Sequence, residues 1–479
     1  MTAEQVGLSL LVLGVLLLAG TLVRIRSRTA QKLFLPASIL AGALALLAGP
    51  EVLGASASAV AGPDAGLAGG VWPEEWLSVW STLPGLLISV VFATLFLGER
   101  IPRPRTVAQL AGPQLAFGVT IASGQYVVGL LLAILVLVPL FDVDPMIGAL
   151  IEVGFEGGHG TAAGLGDTFA DLGFAEGQDL ALGLATVGVV SGVVVGIALV
   201  NWGVRTGRAQ VVAGDARTSL AEQRGLYERG RRPTGALLTV RTASVEPLAV
   251  HVAVVAVAIL VGLGLLEGLQ ALEAALWADT VELFAFVPLF PLAMIGGVVV
   301  QVLVDRFDRS GIVDRQTMLR IQGIALDLLI VSALATLSIQ AIADNLVPFL
   351  LLAVAGVAWC VGAFVLLARR MIPGFWFERG IGDLGQSLGV TATGLVLIKV
   401  ADPDGKTPAM EAFGYKQLGF EPFFGGGLVT AASVPLIAQF GAVPLLVVMA
   451  VVMAVALGVG LLYFGRRSAA PAGSHGNAR

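Results

Sequence analysis

The sequence predicts an all-α polytopic membrane protein made of two inverted-topology repeats, each of five spans plus a re-entrant hairpin, followed by one extra C-terminal span. Three observations predict it. Of 479 residues, 57% are hydrophobic and 13% charged, with mean hydropathy +0.91, and the apolar runs repeatedly exceed the ~20 residues that cross a bilayer as a helix. The basic residues fall in alternate loops only. Two glycine-rich stretches, 147–170 and 376–398, place carboxylates inside otherwise apolar sequence.

The first span lies at about 5–23. It is not a cleavable signal peptide, because no basic residue precedes the apolar run while Arg24, Arg26, Arg28 and Lys32 follow it, so its N-terminus is placed outside. Spans follow at 33–52, 79–97 and 117–141, then the stretch 147–170, then 180–203; together they make a first repeat over 1–204. A cytoplasmic linker occupies 205–247. The second repeat, 248–441, carries spans at 248–268, 284–304, 321–342 and 347–368, the stretch 376–398, and a span at 423–441. Residues 442–465 form the extra span and 466–479 a cytoplasmic tail.

With the N-terminus outside, all 28 Lys and Arg fall in cytoplasmic loops, including eight arginines at 205–241 and Lys399, Lys406 and Lys416 in the loop after the second glycine-rich stretch. The opposite loops hold only acids, among them Glu51, Asp144, Asp179 and Asp279. The positive-inside rule then decides the path of residues 147–170. A single crossing would put the arginine-rich linker outside, so the stretch enters and leaves on the outer face, as two half-helices of about twelve residues reaching roughly 18 Å. By the same parity 376–398 dips from the inside. Such segments need a protein or water lining, since glycine costs a helix ~1 kcal/mol against alanine and a carboxylate at bilayer depth costs several.

The second half repeats the order of the first from the other side. Leu35-Pro36 precedes Gly42 as Phe290-Pro291 precedes Gly297, each proline six residues before its glycine. Inverted repeats with broken segments meeting near the midplane are the architecture of secondary transporters in an inner membrane.

Other classes are disfavoured. The single cysteine, Cys360, allows no intrachain disulfide and no cysteine metal cluster, and three histidines (His159, His251, His475) argue against a multi-histidine site. Gly380-Ile381-Gly382-Asp383-Leu384-Gly385, followed by Asp402, matches a dinucleotide fingerprint by letter but needs a βαβ unit around it. The arginine-rich linker, interspersed with Asp215, Glu222, Glu228 and Glu246, reads as a loop touching anionic lipid, with no nucleic-acid partner. No nucleophile, base and orienting group converge, so no enzyme is expected.

Glu156-Gly157-Gly158-His159-Gly160-Thr161-Ala162-Ala163, then Gly173-Phe174 and Ala185-Thr186-Val187-Gly188, resembles the first pore-loop region of bacterial sodium/glutamate symporters. Gly385-Gln386-Ser387-Leu388-Gly389-Val390-Thr391-Ala392-Thr393 is similar to their second pore loop, and the span order matches over roughly 5–441. Ala392 stands where that family has proline and Ser387 where it usually has glycine; Asp383 and Gln386 add polarity, and the last span is extra. The resemblance implies a homodimeric symporter of glutamate or a related anionic amino acid. It also implies sodium as coupling ion, no cofactor, and elevator-like movement of the hairpin-bearing bundle (117–203 and 347–441) against the other spans.

Several residues are singled out for these roles. Gly157, Gly158 and Gly160 let backbone groups approach an ion or substrate, or simply make a tight turn. Thr161 offers a hydroxyl and a carbonyl to sodium, or satisfies its own helix. His159 either meets a substrate carboxylate or packs as a hydrogen-bonded neutral ring. Gly389, Thr391 and Thr393 complete the substrate set; Thr161, Asp167, Asp383, Gln386 and Ser387 make the sodium set. Glu152 and Glu156, four apart on one helix face, bind a cation or face an outer vestibule, with a vestibule or structural role favoured for Glu152. Asp327 interrupts an apolar run, where a paired or functional role is the default, but it lies seven residues after Arg320, a spacing that also fits the cytoplasmic interface. Gly188, Gly192 and Gly196 form a small-residue packing face. No arginine is seen within an apolar span, so an anion relies on half-helix N-termini, hydroxyls and His159. The competing readings are a proton- or sodium-coupled transporter of another organic anion and an ion channel with two pore loops.

The hairpin assignment predicts that, in a chain with Cys360 removed, Gly160→Cys is labelled by a membrane-impermeant thiol reagent from outside and Gln386→Cys from inside. The reverse pattern overturns it.

Overall fold

A computed structural model describes residues 2–33, 35–99, 104–209, 211, 226–227, 230, 232–276, 284–403 and 405–465. Within the linker, residues 210, 212–225, 228–229 and 231, and with them Asp215, Glu222 and Glu228, lie outside the described residues, as do Asp279, Glu282, His475 and the tail 466–479. Among those described there is no strand, and eleven helices are long and apolar enough to cross a membrane. The chain is a multi-pass membrane protein.

The first three long helices are α1 (Ala3–Arg26), α2 (Ala37–Ala48, which continues to Ala61) and α3 (Glu74–Ala93). Then come α4 (Pro104–Leu132, continuing to Phe141), three short helices α5 (Leu150–Phe155), α6 (Gly158–Gly164) and α7 (Gly166–Asp171), and α8 (Glu176–Arg205). The second half holds α9 (Pro247–Leu276), α10 (Leu289–Phe307), α11 (Arg315–Ala335), the short α12 (Ile339–Asp344) and α13 (Leu346–Ala363, continuing to Met371). It ends with α14 (Trp376–Ala401), α15 (Ala409–Phe420), α16 (Leu428–Phe440) and α17 (Ala442–Gly458, continuing to Phe464).

Close packing at small residues binds the first group of helices. Gly42 of α2 lies against Leu334 of α11, and Gly297 of α10 lies against the Ala93 carbonyl of α3. Each is the glycine six residues after a proline, and each packs on the third helix of the opposite half. Leu13, Ala41, Trp80 and Val331 share one apolar cluster, and Ala93, Ala258, Ala293 and Ile321 another, so α1–α3 and α9–α11 form one assembly. A larger cluster joins α4, the segments after it, α8, α13, α14 and the C-terminal helices, and reaches the first assembly through Ile39 of α2, Ile88 of α3, Phe290 of α10 and Leu329 of α11.

Both glycine-rich stretches are broken. After α4, the chain turns back along it: Tyr126 meets Glu152, and Gly129 lies against the Gly148 carbonyl. The helix stops at Phe155, and α6 then runs antiparallel to α8, with His159 at Thr186 and Gly166 at Gln178. In α14 the break is at Gly389 (φ −148, ψ 46) and Val390 (φ 58, ψ 176). Gly385 faces Gly394, and Gly382 faces Ile398, so the halves of α14 fold back on one another. A straight helix would separate Gly382 from Ile398 by about 24 Å.

The span expected at 423–441 is instead a 13-residue helix, α16, preceded by α15 and a Gly425-Gly426-Gly427 turn. Positive φ at Gly425 (+69) and Gly426 (+105) ends one helix before the next begins. Two basic residues assigned to loops are also inside. Lys416 lies on α15 and Arg379 on the first turn of α14, and both are buried. Arg379 donates to the Leu110 carbonyl (2.8 Å), the Pro373 carbonyl (3.2 Å) and Gln114 Oε1 (3.1 Å), which explains how a guanidinium is held there.

The face of α8 is the seam. Gly188 abuts the Leu388 carbonyl, Gly192 lies against Leu388 and Thr393, and Gly196 against Leu397. A Cβ at 188 would strike backbone, which cannot move out of the way as a side chain can. Gly188→Ala is therefore expected to lower the thermal stability of the detergent-purified protein, at a cost of about 1–3 kcal/mol for overpacking. Gly264→Ala inside α9, where nothing lies within 4 Å, should not lower the melting temperature and is expected to raise it slightly, since alanine favours the helix by about 1 kcal/mol.

Candidate functional site

The two breaks meet. Gly158 has φ +67 and lies directly against the Val390 side chain, so its missing Cβ is required by both backbone and neighbour. One residue pair ties the segments: Ser387 Oγ donates to Glu156 Oε1 at 2.8 Å, both residues being buried. The Ser387 carbonyl accepts from Gln125 Nε2 of α4 at 2.6 Å. The other oxygens of this group, Glu156 Oε2 and Gln125 Oε1, are buried and lack a hydrogen-bond partner. Gln125 sits midway along Leu110–Phe141, and Trp359 of α13 anchors the same level through the Ile121 carbonyl (2.9 Å).

One turn before Glu156, Glu152 is fully buried and accepts three hydrogen bonds. Tyr126 Oη donates to Oε2 (2.6 Å), while Thr430 Oγ1 (2.8 Å) and the Gly425 amide (3.0 Å) donate to Oε1. This carboxylate joins α4, α5 and α16. It does not face a vestibule, and its location reflects the α15–α16 turn folding back onto α5.

A third carboxylate lies on α14. Asp383 Oδ1 accepts from Lys416 Nζ at 2.9 Å, with both side chains at 0% exposure, and Gln386 Oε1 accepts from the same ammonium at 2.8 Å. The ammonium stands 4.2 Å from the Phe420 ring centroid and 5.4 Å from that of Phe413. Asp383 Oδ2 has no hydrogen-bond partner. From Gln386 the network continues to Gln417 Oε1 (3.3 Å), from Gln417 Nε2 to Thr391 Oγ1 (2.9 Å), and from Thr391 to Glu421 Oε1 (2.8 Å).

Of the residues singled out in the sequence, Gly157, Gly158, Gln386, Ser387, Gly389, Thr391 and Asp383 come together around the breaks. Thr161 is buried against Gly426, and Thr393 against Gly389 and Gly192. Gly160 faces Ile88 of α3 and Leu326 of α11. His159 Nε2 lies 2.9 Å from Thr186 Oγ1, whose own hydroxyl donates to the Leu182 carbonyl; the ring nitrogen is therefore the donor. Asp167 is exposed on α7 and is not brought to the network, and Asp327 is half-buried on α11. An apolar cavity of about 420 Å³ between α16 and α17, lined by residues such as Phe423 and Met449, lies apart from this chemistry.

Sequence reasoning passed over Gln125, Tyr126, Lys416, Gln417, Glu421 and Thr430. A signal existed for three of them: Gln125 and Tyr126 interrupt an apolar span. Lys416, three residues after Phe413 and four before Phe420, is also one helix turn from each aromatic ring. What assigns the roles is contact between distant segments. Tyr126→Phe removes one of three donors to a fully buried carboxylate, which costs about 1–3 kcal/mol. The expected result is a lower melting temperature, with little change for Tyr463→Phe, which is exposed at the far end of the C-terminal helix.

Two comparisons bear on identity. No curated protein matches the sequence. The family model described as sodium/glutamate symporter matches residues 81–399, from within α3 to the end of α14, and so takes in both broken segments, the helices between them and well over half of the chain. The chain belongs to the sodium/glutamate symporter family.

Proposed function

We propose that this transporter couples the entry of sodium to uptake of glutamate or a related anionic amino acid, alternating access at the two broken segments. In this reading, the segment Pro145–Asp171 is a re-entrant hairpin from the outer face and α14 one from the inner face. The chain works as a homodimer in an inner membrane, its N-terminus outside and its C-terminus in the cytoplasm. Membership of the family implies sodium as the coupling ion and a transporter rather than an enzyme.

One observation carries the proposal: Glu156 and Ser387 join the two breaks inside the protein, beside buried oxygens that have no partner. Asp383 is paired with the Lys416 ammonium, whereas Glu156 accepts from the Ser387 hydroxyl and keeps a second oxygen without a hydrogen-bond partner. Burying an unpaired carboxylate is expensive, so a second cation is called for. Sodium, a hard cation that prefers oxygen ligands as calcium and magnesium do, suits Glu156 Oε2, Gln125 Oε1 and the Ser387 oxygens. The second half of α14 begins at the break, and its positive N-terminal end near Thr391 and Thr393 favours the substrate carboxylate. Gly42 of α2 packed against α11 and Gly297 of α10 packed against α3, equivalent glycines against equivalent helices, support the inverted repeat. Two apolar clusters made only by α1–α3 and α9–α11 with their flanking residues support a scaffold, against which the larger cluster of the other helices packs through residues such as Ile88 of α3 and Leu329 of α11.

The test is uptake of labelled glutamate by proteoliposomes with and without an inward sodium gradient. Sodium-driven accumulation is expected, and Ser387→Ala should raise the sodium concentration for half-maximal uptake roughly tenfold, the equivalent of about 1.4 kcal/mol. Uptake that ignores sodium, or none for any amino acid or dicarboxylate tried, overturns the proposal.

A further inference from the structure

We propose that the Lys416 ammonium is a tethered cation that fills an ion position on α14, so that this chain supplies from its own α15 a charge that a free sodium ion would otherwise bring. The inference rests on the proposed cation coupling but concerns a different locus from Gln125, Glu156 and Ser387.

The ammonium is held as a bound ion would be. Asp383 and Gln386 lie three apart on one face of α14 and present an aspartate and an amide oxygen, at 2.9 and 2.8 Å, to the same nitrogen. Those are the ligand types a hard cation takes. The remaining side of the ammonium is covered by the Phe420 ring at 4.2 Å, a cation–π contact that stands in for hydration. The volume is also prepared on a third element. Gly118 of α4 has no side chain where one would meet Lys416 Cε at 2.7 Å and Nζ at 2.8 Å, so α4 leaves room for the charged end.

Two consequences follow. While Lys416 is in place, Asp383 Oδ1 and Gln386 Oε1 are closed to sodium, although the sequence makes both residues sodium candidates. The positive charge also cannot dissociate, because it is bonded to α15 and travels with that helix. A simple structural ion pair would share the geometry but would behave differently once the lysine is shortened: its loss would weaken the protein in any salt. Loss of a tethered cation leaves a vacancy with oxygen ligands, which sodium can fill.

The readout is the melting temperature of the full-length detergent-purified protein in sodium chloride and in choline chloride at equal ionic strength. It needs no substrate and no transport, so a wild-type chain that fails to take up glutamate does not affect it. Lys416→Ala is expected to melt lower than wild type in choline and to show a sodium-dependent rise larger than the wild type's. Adding Asp383→Asn should abolish the extra rise. An equal loss in sodium and choline overturns the proposal. If Lys416→Ala does not yield folded protein, the uncharged pair Lys416→Met with Asp383→Asn keeps it testable. That double variant should retain the wild-type sodium response, and losing it would mean that sodium uses Asp383 in the native chain, which overturns the proposal equally.

Discussion

Backbone that leaves helical geometry inside an apolar molecule must find polar partners, and water cannot supply them at that depth. Here the breaks at Glu156–Gly158 and Gly389–Val390 are placed against each other, and the Glu156–Ser387 hydrogen bond closes the contact. Much of the surrounding structure follows from that requirement. Gln125 on α4 serves the Ser387 carbonyl, Trp359 on α13 locks α13 to α4 at the same level, and α8 supplies a glycine face along which both broken segments pack. Val390 adopts φ 58, a conformation that costs a β-branched residue about 1–3 kcal/mol. The surrounding contacts hold it there.

Charge in this interior is handled by different means at neighbouring points. Glu152 is saturated by three donors and serves as a clamp between α5 and the α15–α16 turn. Glu156 has one donor and a free oxygen. Asp383 is matched by an ammonium from the chain itself. These three carboxylates lie within reach of the same breaks, yet their surroundings separate a fastening role from roles that suit an ion. A buried pair such as Asp383–Lys416 contributes little net stability over an apolar replacement, so specificity of position is the better account of its presence.

The extra helix α17 belongs to this bundle rather than to the α1–α3 and α9–α11 assembly. Phe464 fills the space left by Gly112 of α4, and Gly460 lies against Met371 at the end of α13. It therefore packs on α4 and the end of α13, and α4 in turn meets both broken segments through Gln125 and Tyr126. The Gly112–Phe464 contact sets a small residue against an aromatic ring, in keeping with close packing between helices where no hydrophobic drive separates protein from lipid.

The order and type of the elements were legible in the sequence, because hydropathy and glycine clustering are local properties: α1–α4, α8–α11, α13 and α17 fall where the apolar runs lie, and both glycine-rich stretches are broken. Local too were the residues of the breaks themselves, Gly157, Gly158, Ser387 and Gly389. Less was legible at α15–α16, where Gly425–Gly427 splits an apolar run that hydropathy reads as continuous, and at Lys416 and Arg379, which charge counting put into loops. Their environment depends on what stands opposite: Phe420, Asp383 and the space at Gly118 for one, the carbonyls of Leu110 and Pro373 for the other. A residue's own sequence states whether it can be charged, broken or small. Whether a charge meets water or a partner is decided largely by distant segments, such as Asp383 and Gly118 around Lys416 and Leu110 beside Arg379, and only the tertiary structure brings them into contact.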